Sequence, residues 1–531
     1  MLNRIVLTLV LALTLPCTAA DLDPGGEAIR RYLEGLDAGD SPMVAGQLLG
    51  QPELLARLYR VREHQPLWQP GAPLADEADD MLRAIGESVA HGFIAERYHR
   101  SSIEKLMLAE DDSSRLALEL LLTDAFLSQA LHRGRGAVYP PNLDAEWQVP
   151  PAEVDALALL QATAAVHASV SARLDALWPT DPEYARLLRR RAEIAAAGDE
   201  VSIQIASGPL LKPGQSSDRV IMLKQRLLGP GEYTPEYDAG LRREVEAFQR
   251  SAGLEADGIV GDNTLEMLNA TRVSWIERLD ANLERWRWLP RETPDVYVRV
   301  NIAAFTLRVM QHGQPVLDMN VVVGKPYRRT PVFTELIRYL TINPYWNVPY
   351  SIATKDKLPL LKANPAELAA NGYEVKWQGS DSFVAVDAVD WSAVTPRGFN
   401  HLLRQKPGPM NALGQIKFML PNPYSVYLHD TPSRELFAKT ERSFSSGCIR
   451  LQHPLELARW LLANDGNPLS GEVEALVASG ESRTLHLKKP VPAFLVYFTA
   501  FSLDDGEVIF RRDIYGRDRV LIEALRALQT P

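Results

Sequence analysis

The chain contains very little cysteine: its 531 residues include only two, Cys17 and Cys448. Cys17 lies in an N-terminal stretch with the features of a cleaved signal, so the mature protein is expected to hold a single thiol. A single thiol cannot form an internal disulfide, and the sequence lacks the paired cysteines and HExxH pattern that are typical of zinc sites. The sequence therefore excludes a disulfide-stapled fold, and it predicts neither a metal site nor a cofactor.

Long apolar runs are also scarce. The strongest one lies in residues 1–20, where a basic start is followed by an apolar core over residues 5–15 and by small residues up to Ala20. This arrangement is typical of a secretory signal peptide that is cleaved after about Ala20. Acylation of Cys17, as in a lipoprotein, is the alternative, and Pro16 disfavours it because lipoprotein signals carry a small residue at that place. No later run approaches the roughly 20 apolar residues of a membrane-spanning helix, so we expect an exported protein with no stable membrane span.

The chain lacks an excess of basic residues. Lys and Arg number 57 against 67 Asp and Glu, which gives a formal net charge of −10. This balance argues against nucleic acid as a partner. A chain of 531 residues has room for about three domains, each large enough for its own core. We expect a multidomain α+β protein.

The N-terminal part, residues 21–207, is rich in Ala, Leu, Glu and Arg. Apolar residues recur in it at the spacing of a helix face, and no stretch clusters His, Cys or carboxylates. Both features predict a helical scaffold domain without chemistry of its own. The clearest example of the spacing comprises Leu118, Leu121, Leu122, Ala125 and Phe126.

Residues 208–272 form a smaller unit in which short amphipathic helices alternate with Gly and Asp turns. Its closing part runs Phe248–Leu254 (FQRSAGL), Asp257–Gly261 (DGIVG), and then Thr264 and Leu268. Paired Gly turns suit the C-terminal ends of helices. This order of motifs resembles the small three-helix peptidoglycan-binding module of many cell-wall enzymes, which implies that glycan strands bind here. A plain spacer of the same size is the alternative.

After a predicted linker helix over residues 273–290, the pattern changes to short alternating segments. Val296–Asn301, Thr306–Met310 and Leu317–Val323 predict successive antiparallel strands, with a turn between the second and the third. A mainly β domain is therefore expected over residues 291–480.

A polar, helix-prone insertion interrupts the β pattern at about residues 350–409. Lys355–Asn371 predicts two short helices, divided at Pro365 and ended by Gly372. An insertion of this kind is often a lid over a site, and a surface elaboration without a role in substrate access is the alternative. Residues 481–531 predict a C-terminal strand and helix that complete this domain or the scaffold.

The second cysteine stands in a setting that indicates a nucleophile. Cys448 follows Gly447 and precedes Arg450 by two positions, and His429 lies 19 residues upstream. An imidazole beside a thiol stabilises the reactive thiolate, so His429 is the natural base. Gly447 leaves the approach to the thiol open, and the N–H groups of residues 447 and 448 are suited to stabilise an oxyanion. A buried packing cysteine is the alternative, which the flanking residues and the export signal disfavour.

Neighbouring residues complete the candidate site. Tyr427 lies on the same face as His429 if this segment is a strand. Arg450 can bind a substrate carboxylate in a bidentate pair, or it can fix the loop through an ion pair. Ser446 is a further candidate near the substrate or an anchor of the loop, and Trp346 lines the substrate groove or belongs to the core.

Five segments around these residues resemble, in order, the L,D-transpeptidases of the YkuD catalytic fold. The scaffold, the wall-binding module and the insertion are similar to the large periplasmic YcbB-type branch of that family. Two departures are Ser446, where many members have His, and His453, where many have Asn; the first is shared by the branch and puts in doubt any role for a second motif imidazole. The segments are VVGKPYRRTP (322–331), NPYWNVP (343–349), PGPMNALG (407–414), YLHDTP (427–432) and SSGCIR (445–450).

The resemblance implies a function in the periplasm. Family members attack the third residue of a peptidoglycan tetrapeptide stem, release the terminal D-alanine, and transfer the acyl group to another stem as a 3→3 diaminopimelate crosslink. Carbapenems acylate their cysteine. The resemblance also implies that a main-chain carbonyl near Asp430 holds the second ring nitrogen of His429.

Three alternative functions stay open at this point. The acyl group could pass to water, a D-amino acid or a lipoprotein instead of a stem. The catalytic domain could have lost its activity and left a wall-binding protein. A papain-like peptidase is the third alternative, which the order of His429 before Cys448 and the β-rich context disfavour.

Overall fold

The structure is a computed structural model that describes residues 24–150, 152–197, 203–377 and 379–528. The predicted signal peptide and Cys17 lie outside the described residues. The described chain forms two compact units, of which the first comprises residues 24–89, 93–131 and 154–177, and the second comprises the rest. Of the helices in these ranges, none is both long enough and apolar enough to cross a membrane.

The N-terminal region is helical, as its composition predicts. Between Ala117 and Leu131, its longest helix carries buried residues on all sides, because apolar residues there are not confined to one stripe. The elements in chain order are α1 (Pro24–Asp37), β1 (Met43–Val44), β2 (Gln47–Leu48), α2 (Pro52–Val61), α3 (Ala78–Ser88), α4 (Arg100–Leu106), α5 (Asp112–Arg135), α6 (Pro140–Leu143), β3 (Trp147–Gln148), α7 (Ala156–Ala165), α8 (Val170–Asp175) and α9 (Pro182–Ala196).

The first unit is held by a buried polar network on α5. The carboxylate of Glu119 accepts hydrogen bonds from the Tyr59 hydroxyl at 2.6 Å and from the N–H groups of Leu67 and Trp68 at 2.6 and 2.9 Å. Such a network fixes the loop between α2 and α3, since a buried carboxylate needs all of these donors.

Three helices follow as predicted: α10 (Asp218–Leu228), α11 (Ala239–Ser251) and α12 (Asp262–Leu268). The FQ and DG motifs meet in this module. The Gln249 side chain donates to the Ile259 carbonyl and accepts from the Gly258 N–H, each at 2.9 Å. Gly258 has a φ of +69°, which favours glycine at this turn. The motif thus maintains the internal structure of the module.

The expected linker helix is α13 (Arg272–Arg287). A capping box between Thr271 and Ser274 begins it. Its second half, from Leu279 onward, is largely buried. Leu283 and Trp286 in this half belong to one apolar core with Tyr297 and Phe494 of the following domain.

The remaining chain consists mainly of strands with short helices between them. A π-helical turn at Ala353–Lys357 joins α14 and α15. The elements are β4 (Val296–Asn301), β5 (Thr306–Gln311), β6 (Gln314–Gly324), β7 (Val332–Ile342), β8 (Trp346–Asn347), α14 (Tyr350–Ile352), α15 (Leu358–Ala363), α16 (Pro365–Ala370), β9 (Tyr373–Trp377), β10 (Val384–Ala385), β11 (His401–Gln405), β12 (Ile416–Met419), β13 (Leu428–His429), β14 (Ser443–Ser445), β15 (Ile449–Leu451), α17 (Pro454–Asn464), α18 (Val473–Ala478), β16 (Arg483–Val496), β17 (Ala500–Ser502), β18 (Val508–Phe510) and α19 (Arg517–Ala527).

The main sheet closes on itself. Its strand order is β12-β13-β15-β6-β5-β4-β16-β7, and β7 pairs with β12 as well as with β16. The pairing β4-β5-β6 is antiparallel, which confirms the meander predicted from the sequence. The predicted C-terminal strand is β16, and it pairs with β4 and β7. Apolar side chains of these strands form the largest core of the protein.

The insertion is helical as predicted, with α15 and α16 separated at Asn364. Together with β8, which precedes it, the insertion also forms a small sheet in the order β10-β9-β11-β8, which the sequence did not predict. Its core is separate from that of the main sheet, and Cys448 packs partly buried against it. The insertion therefore covers the region of the thiol.

Candidate functional site

The candidate residues come together on one face of three neighbouring strands. His429 on β13 is paired with Arg450 on the parallel strand β15 and with Lys417 on the antiparallel strand β12. Side chains of paired residues point to the same face of a sheet. Tyr427 and Cys448 each lie two positions earlier along the chain, so they share that face as well. The ring centroids of Tyr427 and His429 are 5.6 Å apart.

The thiol follows a tight turn between β14 and β15. Gly447 in this turn has a φ of +114°, and a Cβ atom there would come within 3.4 Å of the Arg329 carbonyl oxygen. Glycine is favoured because a side chain at this positive φ would strain the backbone. The Thr330 hydroxyl donates to the Gly447 carbonyl at 2.9 Å and so fixes the turn from the other side.

Ser445 forms two hydrogen bonds inside this turn. Its hydroxyl donates to the Cys448 carbonyl at 2.5 Å and accepts from the Gly447 N–H at 3.1 Å. The Gly447 N–H, which we expected to stabilise an oxyanion, is therefore already bonded in this state. The Cys448 N–H remains the candidate donor for that role.

Cys448 is half-buried, and its Sγ atom lies 3.7 Å from the Ser425 carbonyl oxygen. Burial raises the pKa of this thiol. Hydrogen bonds from Tyr427 and the positive charges of Lys417 and Arg450 act against that rise. The resting group is consequently a thiol that needs a base before it can attack.

His429 has the geometry of such a base. Its Nδ1 lies 2.5 Å from the Asp430 carbonyl oxygen, so Nδ1 carries the hydrogen and donates it. The lone pair is then on Nε2. Burial, with a smaller contribution from the charge of Arg450, lowers the pKa of His429 from 6.5 to about 3. The imidazole is neutral at physiological pH and can accept a proton.

The backbone around His429 is held by the Asp430 side chain. Its carboxylate accepts from the Gln415 N–H at 2.9 Å and from Arg434 at 3.2 Å, and burial raises its pKa. Gly414, with a φ of +59°, lies against this carboxylate, since a Cβ atom would come within 2.3 Å of Oδ2. The last glycine of the PGPMNALG segment is therefore required by the close approach of the histidine strand.

Arg450 has capacity for a further partner. Within the described residues its Nε atom is buried without a hydrogen-bond acceptor, and burial lowers the pKa of the guanidinium. A buried N–H without an acceptor is unfavourable. A substrate carboxylate would satisfy it.

Trp346 and Ser446 lie at the boundary between the insertion and the turn. Trp346 is only 7% exposed and belongs to the insertion core that also contacts Tyr427. The exposed Ser446 hydroxyl accepts from Arg328 Nη1 at 2.9 Å, and Arg328 also pairs with Asp356 of the insertion. Ser446 thus links the nucleophile turn to the insertion.

Sequence reasoning missed two residues that the structure places at the candidate site, Lys417 and Arg328. Lys417 places its Nζ 4.0 Å from the ring centroid of Tyr427. A lysine within the otherwise apolar strand β12 (Ile416–Met419) was the signal that could have revealed it. Arg328 lies inside the VVGKPYRRTP segment, but its two partners are 28 and 118 residues away. In the described part of the chain, no group of three or more His, Cys, Asp or Glu side chains could hold a metal ion.

Family models match three parts of the chain. Residues 295–477 match an L,D-transpeptidase catalytic domain, known as YkuD. Residues 53–190 match a scaffold domain, and residues 216–268 match a "Putative peptidoglycan binding domain".

Two curated relatives are similar to parts of the chain. A "Putative L,D-transpeptidase" of Haemophilus influenzae is 32% identical over 243 residues, which cover 46% of this chain and 48% of the relative. A "Probable N-acetylmuramoyl-L-alanine amidase" of Bacillus licheniformis is 33% identical over 94 residues, which cover 17% of this chain and 27% of the relative. The chain thus spans less than half the length of these relatives.

Solved structures are more distant. An L,D-transpeptidase from Xylanimonas cellulosilytica is 13% identical, with 55% of this chain and 99% of that chain covered and a TM-score of 0.17. The Ldtfm–avibactam carbamoyl enzyme is 12% identical, with 39% and 51% covered and the same TM-score of 0.17. TM-scores this low establish neither a common fold nor a common activity.

Proposed function

Residues 295–477 form an L,D-transpeptidase catalytic domain of the YkuD family in a chain that also has a peptidoglycan-binding domain, and from this premise we propose its reaction. The chain is a periplasmic transpeptidase that forms 3→3 diaminopimelate crosslinks through a thioester on Cys448. The observation that carries the proposal is the neutral His429, held through Nδ1 on the same strand face as Cys448. Donor and acceptor are peptidoglycan tetrapeptide stems.

In the first half-reaction, His429 Nε2 takes the proton of the Cys448 thiol. The sulfur attacks the carbonyl carbon of the third stem residue, a C–S bond forms, and the carbonyl oxygen becomes an oxyanion near the Cys448 N–H. When the oxyanion collapses, the amide C–N bond breaks and the leaving amine takes the proton from His429. D-Alanine departs, and the acyl group remains as a thioester.

In the second half-reaction, the side-chain amine of another stem attacks the thioester. His429 accepts a proton from the attacking nitrogen, a new amide bond forms, and the C–S bond breaks. The sulfur takes the proton back. One amide is exchanged for another, so no nucleotide is consumed.

Two cations have separate roles around the thiol. Arg450, whose Nε has no protein acceptor within the described residues, binds a carboxylate of the stem. Lys417 stabilises the thiolate as it forms, because its positive charge lowers the pKa of Cys448. Trp346 and Tyr427 form the apolar side of the site.

The other parts of the chain bring the catalytic domain to the cell wall. A signal peptide over residues 1–20 directs export and is cleaved after about Ala20. The 208–272 module binds glycan strands and keeps the enzyme on its polymeric substrate. The catalytic domain extends over residues 291–480, the insertion serves as its lid over residues 350–409, and residues 481–531 complete the domain.

Product analysis with a defined disaccharide-tetrapeptide tests this function. Mass spectrometry should find a dimer that has lost one D-alanine, and Cys448→Ala should form none. His429→Ala should slow dimer formation by roughly 10²–10⁴-fold, the usual contribution of a positioned base. A tripeptide product alone would assign water as the acceptor, exchange of D-alanine for an added D-amino acid would assign that acceptor, and no product at all would contradict the activity.

A further inference from the structure

A second cavity, which the proposed reaction does not use, lies between α6, β3, α13 and α19. Its volume is about 240 Å³. Trp147, Arg285 and Trp288 are buried at its floor, whereas the exposed Arg329 and Arg519 stand at its mouth. The cavity is large enough for one amino-acid residue with its flanking amide.

Two buried donors in this cavity have no acceptor. Within the described residues, Arg285 Nε and Trp147 Nε1 make no hydrogen bond, although Arg285 is 1% exposed and Trp147 is 4% exposed. The two groups are neighbours, because the Arg285 guanidinium carbon lies 5.9 Å from the centroid of the Trp147 ring. Buried N–H groups are nearly always paired in folded proteins. An acceptor that enters the cavity would pair both of them.

The charges around the cavity favour an anion. Arg517 is paired with Asp144 at 2.6 Å, and Arg285 is paired through Nη1 with Asp518 at 2.5 Å. The nearby carboxylates are thus occupied. Arg519 at the mouth pairs with Glu523 of the same helix at 3.7 Å. Arg329 forms no ion pair in the described part of the chain, so it adds positive charge at the mouth. An ammonium group would be repelled, and a carboxylate would be attracted.

We propose that this cavity binds the C-terminal carboxylate of a short peptide. The two carboxylate oxygens accept from Arg285 Nε and Trp147 Nε1, and the small terminal side chain packs on the Trp288 ring. A free amino acid is disfavoured because its ammonium group would enter the same positive field. That the peptide is a stem of the cell wall, which ends in D-alanine, rests on the proposed function.

The cavity is connected to the nucleophile turn. The Tyr515 hydroxyl in its wall donates to the Gly324 carbonyl at 2.6 Å and accepts from the Thr330 N–H at 3.2 Å. Thr330 in turn holds Gly447 beside the nucleophile. A stem bound in this cavity would therefore place a second peptide of the polymer close to the reacting one and raise its effective concentration.

Calorimetric titration of the full chain carrying Cys448→Ala with N-acetyl-D-alanine tests the proposal. The acid should bind, and N-acetyl-D-alaninamide, which lacks the carboxylate, should bind at least tenfold more weakly. Trp147→Phe keeps the ring and removes the donor, so the acid should bind roughly tenfold more weakly to it. Arg519→Ala should also weaken binding. Arg526→Ala on the same helix, which removes an exposed pair with Glu277, is the matched control and should not change it.

Any of three results would overturn the proposal: the acid does not bind, the acid and the amide bind equally well, or Trp147→Phe leaves the affinity for the acid unchanged. A thermal unfolding curve of Trp147→Phe like that of the parent protein ensures that lost binding is not lost folding. Carbapenem acylation of the protein with Cys448 intact tests the proposed function separately. Carbapenem acylation without binding of N-acetyl-D-alanine would contradict only the proposed carboxylate site. Binding of N-acetyl-D-alanine without carbapenem acylation would contradict only the proposed reaction.

Discussion

Arg328 and Asp356 form a two-point ion pair between the loop that follows β6 and the helical insertion. Nη1 lies 2.5 Å from Oδ2, and Nη2 lies 2.9 Å from Oδ1. The same Nη1 donates to Ser446, two residues before the nucleophile. One guanidinium therefore connects the insertion to the turn that carries Cys448.

Breaking this pair should loosen the insertion without unfolding the main sheet. In Asp356→Asn the charge-assisted bonds are lost, and we expect the amides of residues 353–363 to exchange roughly tenfold faster, as measured by hydrogen exchange with mass spectrometry. Asp387→Asn, an exposed acid of the same insertion, is the control and should leave exchange unchanged. Unchanged exchange in Asp356→Asn would show that the apolar core of the insertion alone holds it in place.

Lys417 should control the reactivity of the thiol. Lys417→Met removes a charge that lowers the pKa of Cys448, so alkylation by iodoacetamide at pH 7.5 should slow roughly 3- to 10-fold and its midpoint should move to higher pH. Lys417→Arg should retain most of the rate. The exposed Lys439→Met is the control, and the protein should lack Cys17. An alkylation profile of Lys417→Met that overlays the parent profile would remove Lys417 from the site.

The turn of the nucleophile could be predicted from sequence, whereas its electrostatic surroundings could not. Gly447, Cys448 and Arg450 lie within four consecutive residues, so their relative placement follows from local geometry. Lys417 lies beside these residues only because β12 pairs with β13. The order of strands in a sheet cannot be read from a short segment of sequence. The motif alone does not reveal such a neighbour.

Two other features of the structure were not predicted because they also depend on contacts that a short segment of sequence does not reveal. The Ser445 hydroxyl donates to the Cys448 carbonyl, and this bond orients its oxygen to accept from the Gly447 N–H. A sequence motif does not reveal the orientation of a side chain. The small sheet of the insertion was missed because its strands are short and pair between distant positions of the chain, such as Trp346 and Gln405, which differ in position by 59. Helices α15 and α16 were predicted correctly because Pro365 and Gly372 mark their ends locally.

The neutral state of His429 has a consequence for acid stability. Its pKa is about 3 in the folded protein against 6.5 when unperturbed, so the unfolded chain binds the extra proton between these values. Stability should therefore fall as the pH decreases from 6.5 toward 3. His429→Gln keeps a donor for the Asp430 carbonyl and removes this titration. Between pH 7 and pH 4.5 the parent protein should lose about 2 kcal/mol more than the variant.

Urea unfolding at the two pH values measures this difference. His312→Asn, a change at an exposed imidazole, is the control and should behave like the parent. If His429→Gln loses as much stability as the parent on acidification, the imidazole is not buried in its neutral form, and its assignment as the resting base is wrong.

Wall binding and thiol chemistry should be separable. Asp262 and Asn263 are exposed on the module beside a cavity of about 470 Å³ that it forms with the catalytic domain. Replacing both by Ala should reduce retention on sacculi roughly tenfold, because the module then binds glycan strands more weakly. The rate of carbapenem acylation should not change. Arg243→Ala, on another exposed part of the module, is the control. Full retention in the double variant would place wall binding on another surface, and slower acylation would show that the module acts on the site itself.

The central claim is that Cys448 carries the acyl group during the reaction. Intact-protein mass spectrometry after a brief incubation with disaccharide-tetrapeptide and an acid quench measures it directly, because thioesters survive in acid. We predict a mass increase equal to the substrate minus alanine, located by peptide mapping on Cys448 and absent from Cys448→Ala. The same mass increase in Cys448→Ala, or an adduct on any other residue, would contradict the account.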